Sequence, residues 1–224
     1  MSIIARLRSR AIVFLRKFLR FMSSIRLSRY PRLRDLLEKF SQSKSAAIDS
    51  ADAIGLYEHV LTIKPKCILE LGPGTSTNII CLAIDEIRKT DLSYSPTFLS
   101  FEENPEWLRF HEETFQPDLR KYVTLGSLPA AKKASDVLGE NVAYYVDIPR
   151  LPYDFVFIDG PDFLRFGCSW SSDAIDLAST FAQRVSIVFD GREHTVRESW
   201  KRLQSKGFKL RRNFYSLSYE ICRE

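Results

Sequence analysis

Five short, almost continuously apolar runs constrain this chain more than any other feature. They lie at residues 67–71, 97–101, 122–125, 155–158 and 185–189. A strand that alternates apolar and polar residues has one wet face. A run apolar along its length is covered on both faces, as in a parallel sheet between two helical layers. Helical periodicity fills the intervals between the runs. This alternation predicts an α/β protein with a doubly wound, mostly parallel sheet and helices on both faces. Two further runs, at 208–211 and 214–221, read as an antiparallel pair and complete seven strands.

The connecting helices have readable ends. A helical pattern over 45–63 stops at Lys64-Pro65-Lys66, and another follows Gly74 through Arg88. Pro105 opens a helix over 105–115, where proline suits the first turn. Residues 171–182 and 194–206 also read as helical, the latter ending at Gly207. Residues 127–152 are too long for an ordinary connection and include the aromatic-rich stretch 142–146, so they read as an insertion.

Charge divides the chain. Through Arg34 it carries ten cations (Arg6, Arg8, Arg10, Arg16, Lys17, Arg20, Arg26, Arg29, Arg32 and Arg34) and no Asp or Glu. The rest holds 23 basic against 28 acidic side chains, so the formal charge of +5 is a basic arm on a mildly acidic body. Residues 3–25 place Ile3, Ile4, Leu7, Ala11, Phe14, Leu15, Phe18, Met22 and Ile25 at helical spacing, with Arg and Lys mostly opposite. The expected division is an arm over 1–44 and an α/β domain over 45–224. A basic amphipathic helix suits an anionic membrane surface, an organelle-targeting segment, or docking on its own domain. A nucleic-acid partner is not expected, because the apolar face would be wasted on phosphates. The longest apolar run in the arm, residues 11–15, is far short of a membrane span. Four scattered cysteines without metal-binding spacing suit a reducing compartment, so the expected location is cytoplasmic, with a peripheral membrane attachment through the arm.

In an open α/β sheet, ligands bind beyond the carboxyl ends of the strands, so the residues just after each run carry the chemistry. The first run ends in Glu70-Leu71-Gly72-Pro73-Gly74, where glycines let backbone approach a ligand. A dinucleotide fingerprint needs a third glycine, but Thr77 stands there, and the carboxylate of Glu70 suits an ammonium group better than a pyrophosphate. The second run ends in Glu102, placed to accept both hydroxyls of a ribose, followed by Glu103, which reads as a solvated helix N-terminus. The fourth and fifth end in Asp159-Gly160 and Asp190-Gly191. Two carboxylates at one sheet edge can hold a hard cation, act as general base or cap turns.

Taken in order, these motifs resemble the class I S-adenosylmethionine-dependent methyltransferases. Residues 66–74 resemble their acidic, glycine-rich first motif, 98–105 the ribose-binding second motif, and 153–160 and 187–191 the fourth- and fifth-strand motifs. The resemblance implies S-adenosylmethionine as cofactor. It implies Glu70 near the donor's amino group, the Gly72, Pro73 and Gly74 backbone against its methionine and ribose portions, and Glu102 on the ribose. The acid that usually faces adenine after the third strand is replaced here by Ser127. A subgroup resembling catechol-type O-methyltransferases holds Mg²⁺ with Asp after the fourth strand and Asp-Asn after the fifth. Asp159 and Asp190 match that pattern as candidate metal ligands, and Gly191 replaces the Asn.

The candidate catalytic groups are Asp159, Asp190 and His194, the last just past the fifth run. Arg192 is a candidate for pairing with an acidic substrate or with Glu193, and Arg165 is a similar candidate. Tyr144, Tyr145, Phe163, Phe166 and Trp170 are candidate acceptor walls. The leading expectation is O-methylation of a small-molecule or glycan acceptor. An NAD-binding oxidoreductase and a non-catalytic, membrane-tethered scaffold of the same fold are the alternatives.

Overall fold

The computed structural model describes residues 23, 25–41, 48–136, 139–212 and 219–223. The amphipathic helix expected at 3–25 lies almost wholly outside the described residues. Of its span, only Ser23 and Ile25 are described, and both are helical. Among the described residues, no helix is long and apolar enough to cross a membrane.

Seven strands form one sheet, in spatial order β3 (Thr124–Ser127), β2 (Thr97–Glu102), β1 (Cys67–Leu71), β6 (Phe155–Ile158), β7 (Val185–Phe189), β9 (Tyr219–Arg223) and β8 (Lys209–Arg212). The five strands from β3 to β7 run parallel, and β9 is antiparallel to both its neighbours. The chain order reverses between β1 and β6, which opens a crevice at their carboxyl ends.

Strand alternation divides the interior into two cores. Ile68, Phe98, Phe155, Phe157 and Val188 face the layer formed by α1 (Pro31–Ser41), α2 (Ser50–Ile63) and α3 (Thr75–Thr90). Leu69, Leu71, Phe101, Val156, Ile158, Ile187 and Phe189 face the opposite layer, which includes α6 (Glu193–Leu203) and residues 174–181. Successive residues thus enter different cores, which is why the runs lack polar alternation. Asp154 clamps the lower edge: its two oxygens accept from Lys66 N (2.8 Å) and Cys67 N (2.9 Å), tying the start of β1 to β6.

Two regions differ from the expected elements. Residues 127–152 contain an antiparallel hairpin, β4 (Ala130–Ala134) and β5 (Asn141–Tyr145), separate from the main sheet. Of the helix expected at 171–182, only α5 (Asp173–Asp176) forms. Its start is captured by β5: Ser172 N donates to Ala143 O (2.9 Å), and Asp173 Oδ1 accepts from Tyr145 N (2.8 Å). Beyond it the chain closes with tight turns, helped by the Thr180 hydroxyl donating to Leu177 O (2.8 Å), a local bond that competes with helix.

Residues 31–41 pack directly on the domain. Leu33, Leu36 and Phe40 of α1 are buried in the α2–α3 core. Arg32 bonds Asp85 (2.7 Å) and Glu86 (2.6 Å) on α3, and Arg26 pairs with Glu58 on α2.

Candidate active site

Glu70, Glu102, Asp159 and Asp190 share the carboxyl edge of the sheet. Their strands are parallel neighbours, with Glu70 opposite Ser100 and Glu102 opposite Ser127. Glu102, Asp159 and Asp190 line a cleft of about 320 Å³ together with Gly72, Pro73, Gly74, Thr75 and Ser76. Glu103, Trp107, Asp162 and Arg192 complete most of its wall.

The first turn is shaped by a close backbone approach. Gly72 has φ +90°, and a Cβ there would lie 2.7 Å from Gly160 N and 2.8 Å from the Asp159 carbonyl carbon. Only glycine brings the β1 turn this near the β6 turn. Gly74 N donates to Thr77 Oγ1 (3.0 Å), so the residue where a dinucleotide site has its third glycine holds the turn with its hydroxyl. Thr75 Oγ1, also at the cleft wall, is buried without a partner.

Glu70 stands behind this turn. Its position on β1 points it into the α3 side, where it is fully buried and accepts from Ser76 Oγ and Ser100 Oγ, both at 2.6 Å. Burial pushes its carboxyl up to about 7, against those hydroxyl bonds. The groups at the cleft surface here are Ser76 and the glycine backbone, with Glu70 one layer deeper.

Glu102 and Glu103 have opposite environments. Burial and the neighbouring Glu103 charge both raise Glu102, although its Oε1 accepts from Asn104 N (2.8 Å). Glu103 is also raised by burial, but the donors on it outweigh that and lower it overall. Tyr145 Oη donates to one oxygen (2.6 Å) and Asp162 N to the other (2.8 Å). The residue expected to be a solvated helix cap therefore joins the inserted hairpin and the β6 loop to the β2 tip beside Glu102.

Asp159 lines the cleft with its side chain about half exposed. Surrounding protein and the Asp190 charge raise it to about 7, opposed by Arg192. Asp190 is raised by burial and lowered by the same arginine. Arg192 Nη2 lies 3.5 Å from Asp159 Oδ1, its Nη1 donates to Pro161 O (2.9 Å), and its guanidinium lies over the Phe163 ring at 5.1 Å. A carboxyl that titrates near 7, as that of Asp159 does, can take a proton from an acceptor in its ionised form.

The remaining expected residues are placed elsewhere. Ser127 ends β3 beside Glu102 but is exposed and outside the cleft wall. His194 also lies outside it, with Nε2 3.8 Å from Glu198 Oε1 along α6. Trp170 and Tyr145 are buried in the interior, not free as acceptor walls. Trp107, half-exposed at the cleft rim on α4 (Pro105–Thr114), is a wall residue the motifs did not single out. The signal for it is local: a large aromatic in the first helical turn after Glu102. Among the described residues, no group of three or more His, Cys, Asp and Glu side chains is placed to hold a metal ion.

No family model and no curated protein matches the sequence. Solved structures do match the fold. A candidate caffeoyl-CoA O-methyltransferase from Staphylococcus aureus superposes with a TM-score of 0.59 at 11% identity, over 91% of this chain and 97% of that one. An O-methyltransferase from Bacillus cereus, in complex with S-adenosylhomocysteine, gives 0.55 at 12% identity over 86% and 90%. A methyltransferase from Podospora anserina, also with S-adenosylhomocysteine bound, gives 0.52 at 13% over 90% and 95%. The strand order, the crevice at β1 and these superpositions agree that the chain has the fold of the class I S-adenosylmethionine-dependent methyltransferases.

Proposed function

We propose that the protein is an S-adenosylmethionine-dependent methyltransferase acting on an oxygen of a small-molecule or glycan acceptor. The observation that carries this reading is the cleft itself: an acid at the β2 tip, a glycine turn with no room for a Cβ, and an excess of carboxylates. A cationic sulfonium nucleoside suits such a lining; a pyrophosphate does not. The unpartnered Thr75 hydroxyl at the cleft wall is a spare polar contact for a nucleoside or amino-acid group. Thr77 in its glycine-replacing role argues against the NAD alternative.

When bound, the cofactor supplies an electrophilic methyl carbon. The chain's own residues then do three things. Glu102 accepts ribose hydroxyls once its carboxyl has ionised. The Gly72–Gly74 turn carries backbone, in place of side chains, against the ligand. Asp159, whose carboxyl titrates near neutrality, takes the acceptor's proton at a side-chain oxygen, with Asp190 keeping the local field negative.

Calorimetry with S-adenosylmethionine, S-adenosylhomocysteine and NAD tests the reading. Binding of the first two, weakened at least tenfold in Glu102→Ala, supports it. Binding of NAD alone refutes it. The basic segment before Arg26 we assign to an anionic membrane surface, on its run of Arg and Lys without acids. Unchanged cosedimentation with phosphatidylserine vesicles after deletion of residues 1–22 would remove that assignment.

A further inference from the structure

The resemblance to catechol-type enzymes implies a divalent ion at Asp159 and Asp190. The residues present do not fit one. The pattern calls for a third ligand at position 191, but glycine stands there with φ +61° and open space around it. A fixed cation is already at the carboxylates. Arg192 comes from the loop after β7, and its Nη2 approaches Asp159 Oδ1 at 3.5 Å.

That guanidinium is held from other directions as well. Nη1 donates to Pro161 O at 2.9 Å, and the planar group lies 5.1 Å above the Phe163 ring. The side chain is 12% exposed. Its Nε is buried without a partner, so the group is set by its surroundings and not by a full complement of hydrogen bonds. A divalent ion on Asp159 would have to sit beside this held charge or displace it from ring and carbonyl together. Arginine has no accessible neutral form to relieve the repulsion.

We propose that Arg192 stands where a divalent cation would be needed, making it the positioning residue of a metal-free acceptor site. The proposal deepens the methyltransferase reading and rests on its assignment of the cleft. It has a consequence for substrate class. A chelated metal favours acceptors with two adjacent oxygens. A guanidinium beside one carboxylate holds a single hydroxyl equally well, with Asp159 taking its proton. Loss of the acceptor proton to Asp159 leaves an oxygen anion within the field of Arg192, so charge stays balanced without an added ion.

The test needs no acceptor. Free Mn²⁺ is followed by its electron paramagnetic resonance signal on titration into the full chain, with S-adenosylhomocysteine present. Wild type is expected to leave the ion free. Arg192→Gln, which keeps a donor for Pro161 O but no charge, is expected to bind one Mn²⁺ at least about ten times more tightly than wild type. Asp159→Asn added to that variant should abolish the gain. Arg192→Ala serves if Arg192→Gln does not fold. Wild-type Mn²⁺ binding that is lost in Asp159→Asn overturns the proposal, as does an Arg192→Gln protein that binds Mn²⁺ no better than wild type. Calorimetry of S-adenosylhomocysteine on the same samples separates the two claims: its absence from wild type refutes the cofactor reading, while the Mn²⁺ comparison still judges Arg192.

Discussion

Replacing Gly160 with alanine probes how the inserted hairpin is tied to the cleft. The new methyl would lie 2.3 Å from Tyr145 Oη, 3.1 Å from its Cζ and 3.0 Å from Gly72 N. An ordinary carbon–oxygen contact is about 3.3 Å or longer, so the hydroxyl must retreat by about 1 Å. That hydroxyl is committed to Glu103 at 2.6 Å, and Gly72 N is committed to Phe101 O at 2.9 Å. The strain therefore falls on the tyrosine–carboxylate bond. Overpacking costs about 1–3 kcal/mol and a hydrogen bond to a charged group contributes about 1.5–3, so we expect Gly160→Ala to destabilise by about 3 kcal/mol. Tyr145→Phe alone should cost about 2 kcal/mol, by leaving a carboxylate oxygen without its donor. In that background the alanine methyl meets only contacts of 3.0 Å and 3.1 Å, which small shifts relieve, so it should cost about 1 kcal/mol. The double variant should then fall about 2 kcal/mol short of the sum of the singles. Urea unfolding, followed by tryptophan fluorescence and circular dichroism, measures all three. Additivity to within about 0.5 kcal/mol would refute the claim that methyl and hydroxyl compete for one space.

Three other outcomes follow from the same geometry. Glu102 is raised in the free protein, so at low pH it must lose a proton before ribose hydroxyls can donate to it. Cofactor affinity should climb with pH by up to about tenfold per unit below its folded pKa and then level off, and Glu102→Gln should lack that part of the slope; equal slopes in calorimetry would count against Glu102 as the ribose acid. Gly72→Ala forces both a positive φ and a 2.7 Å contact onto a residue with a Cβ, and should lower the melting temperature by about 6–12 °C for about 3 kcal/mol, read by calorimetric scanning. Asp154→Ala removes the acceptor for two backbone N–H groups at the start of β1 and should cost about 2 kcal/mol in urea unfolding, with cofactor affinity unchanged because the residue lies at the far edge of the sheet.

The parts of the fold legible in the sequence are those whose physics is local. β1, β6 and β7 have the spans read from their apolar runs, because burial on both faces keeps them almost wholly apolar, with Glu70 and Ser186 as the buried polar exceptions. The carboxylates are legible from their positions at strand ends, and Glu102, Asp159 and Asp190 line one cleft. The rest depends on partners distant along the chain. Glu103 reads as a helix cap until Tyr145, 42 residues away, reaches it. Residues 177–182 have helical periodicity, but hydrogen bonds to β5 capture the start of the segment and tight turns replace its remainder. Glu70 reads as a ligand contact from its place in the motif. The serines that cover it are Ser76, in the helix turn six residues on, and Ser100 on the neighbouring strand, whose pairing is invisible from the motif alone.

The docking of Leu33, Leu36 and Phe40 changes how the start of the chain should be handled at the bench. Trimming the protein to residue 45 for expression would strip an oily seam from α2 and α3 and take Arg32 away from Asp85 and Glu86, leaving Glu86 to Lys89 and Asp85 to the Tyr122 hydroxyl. A shortened protein that clumps would then report a missing shutter over the interior, and would say nothing about whether the cleft on the far edge works.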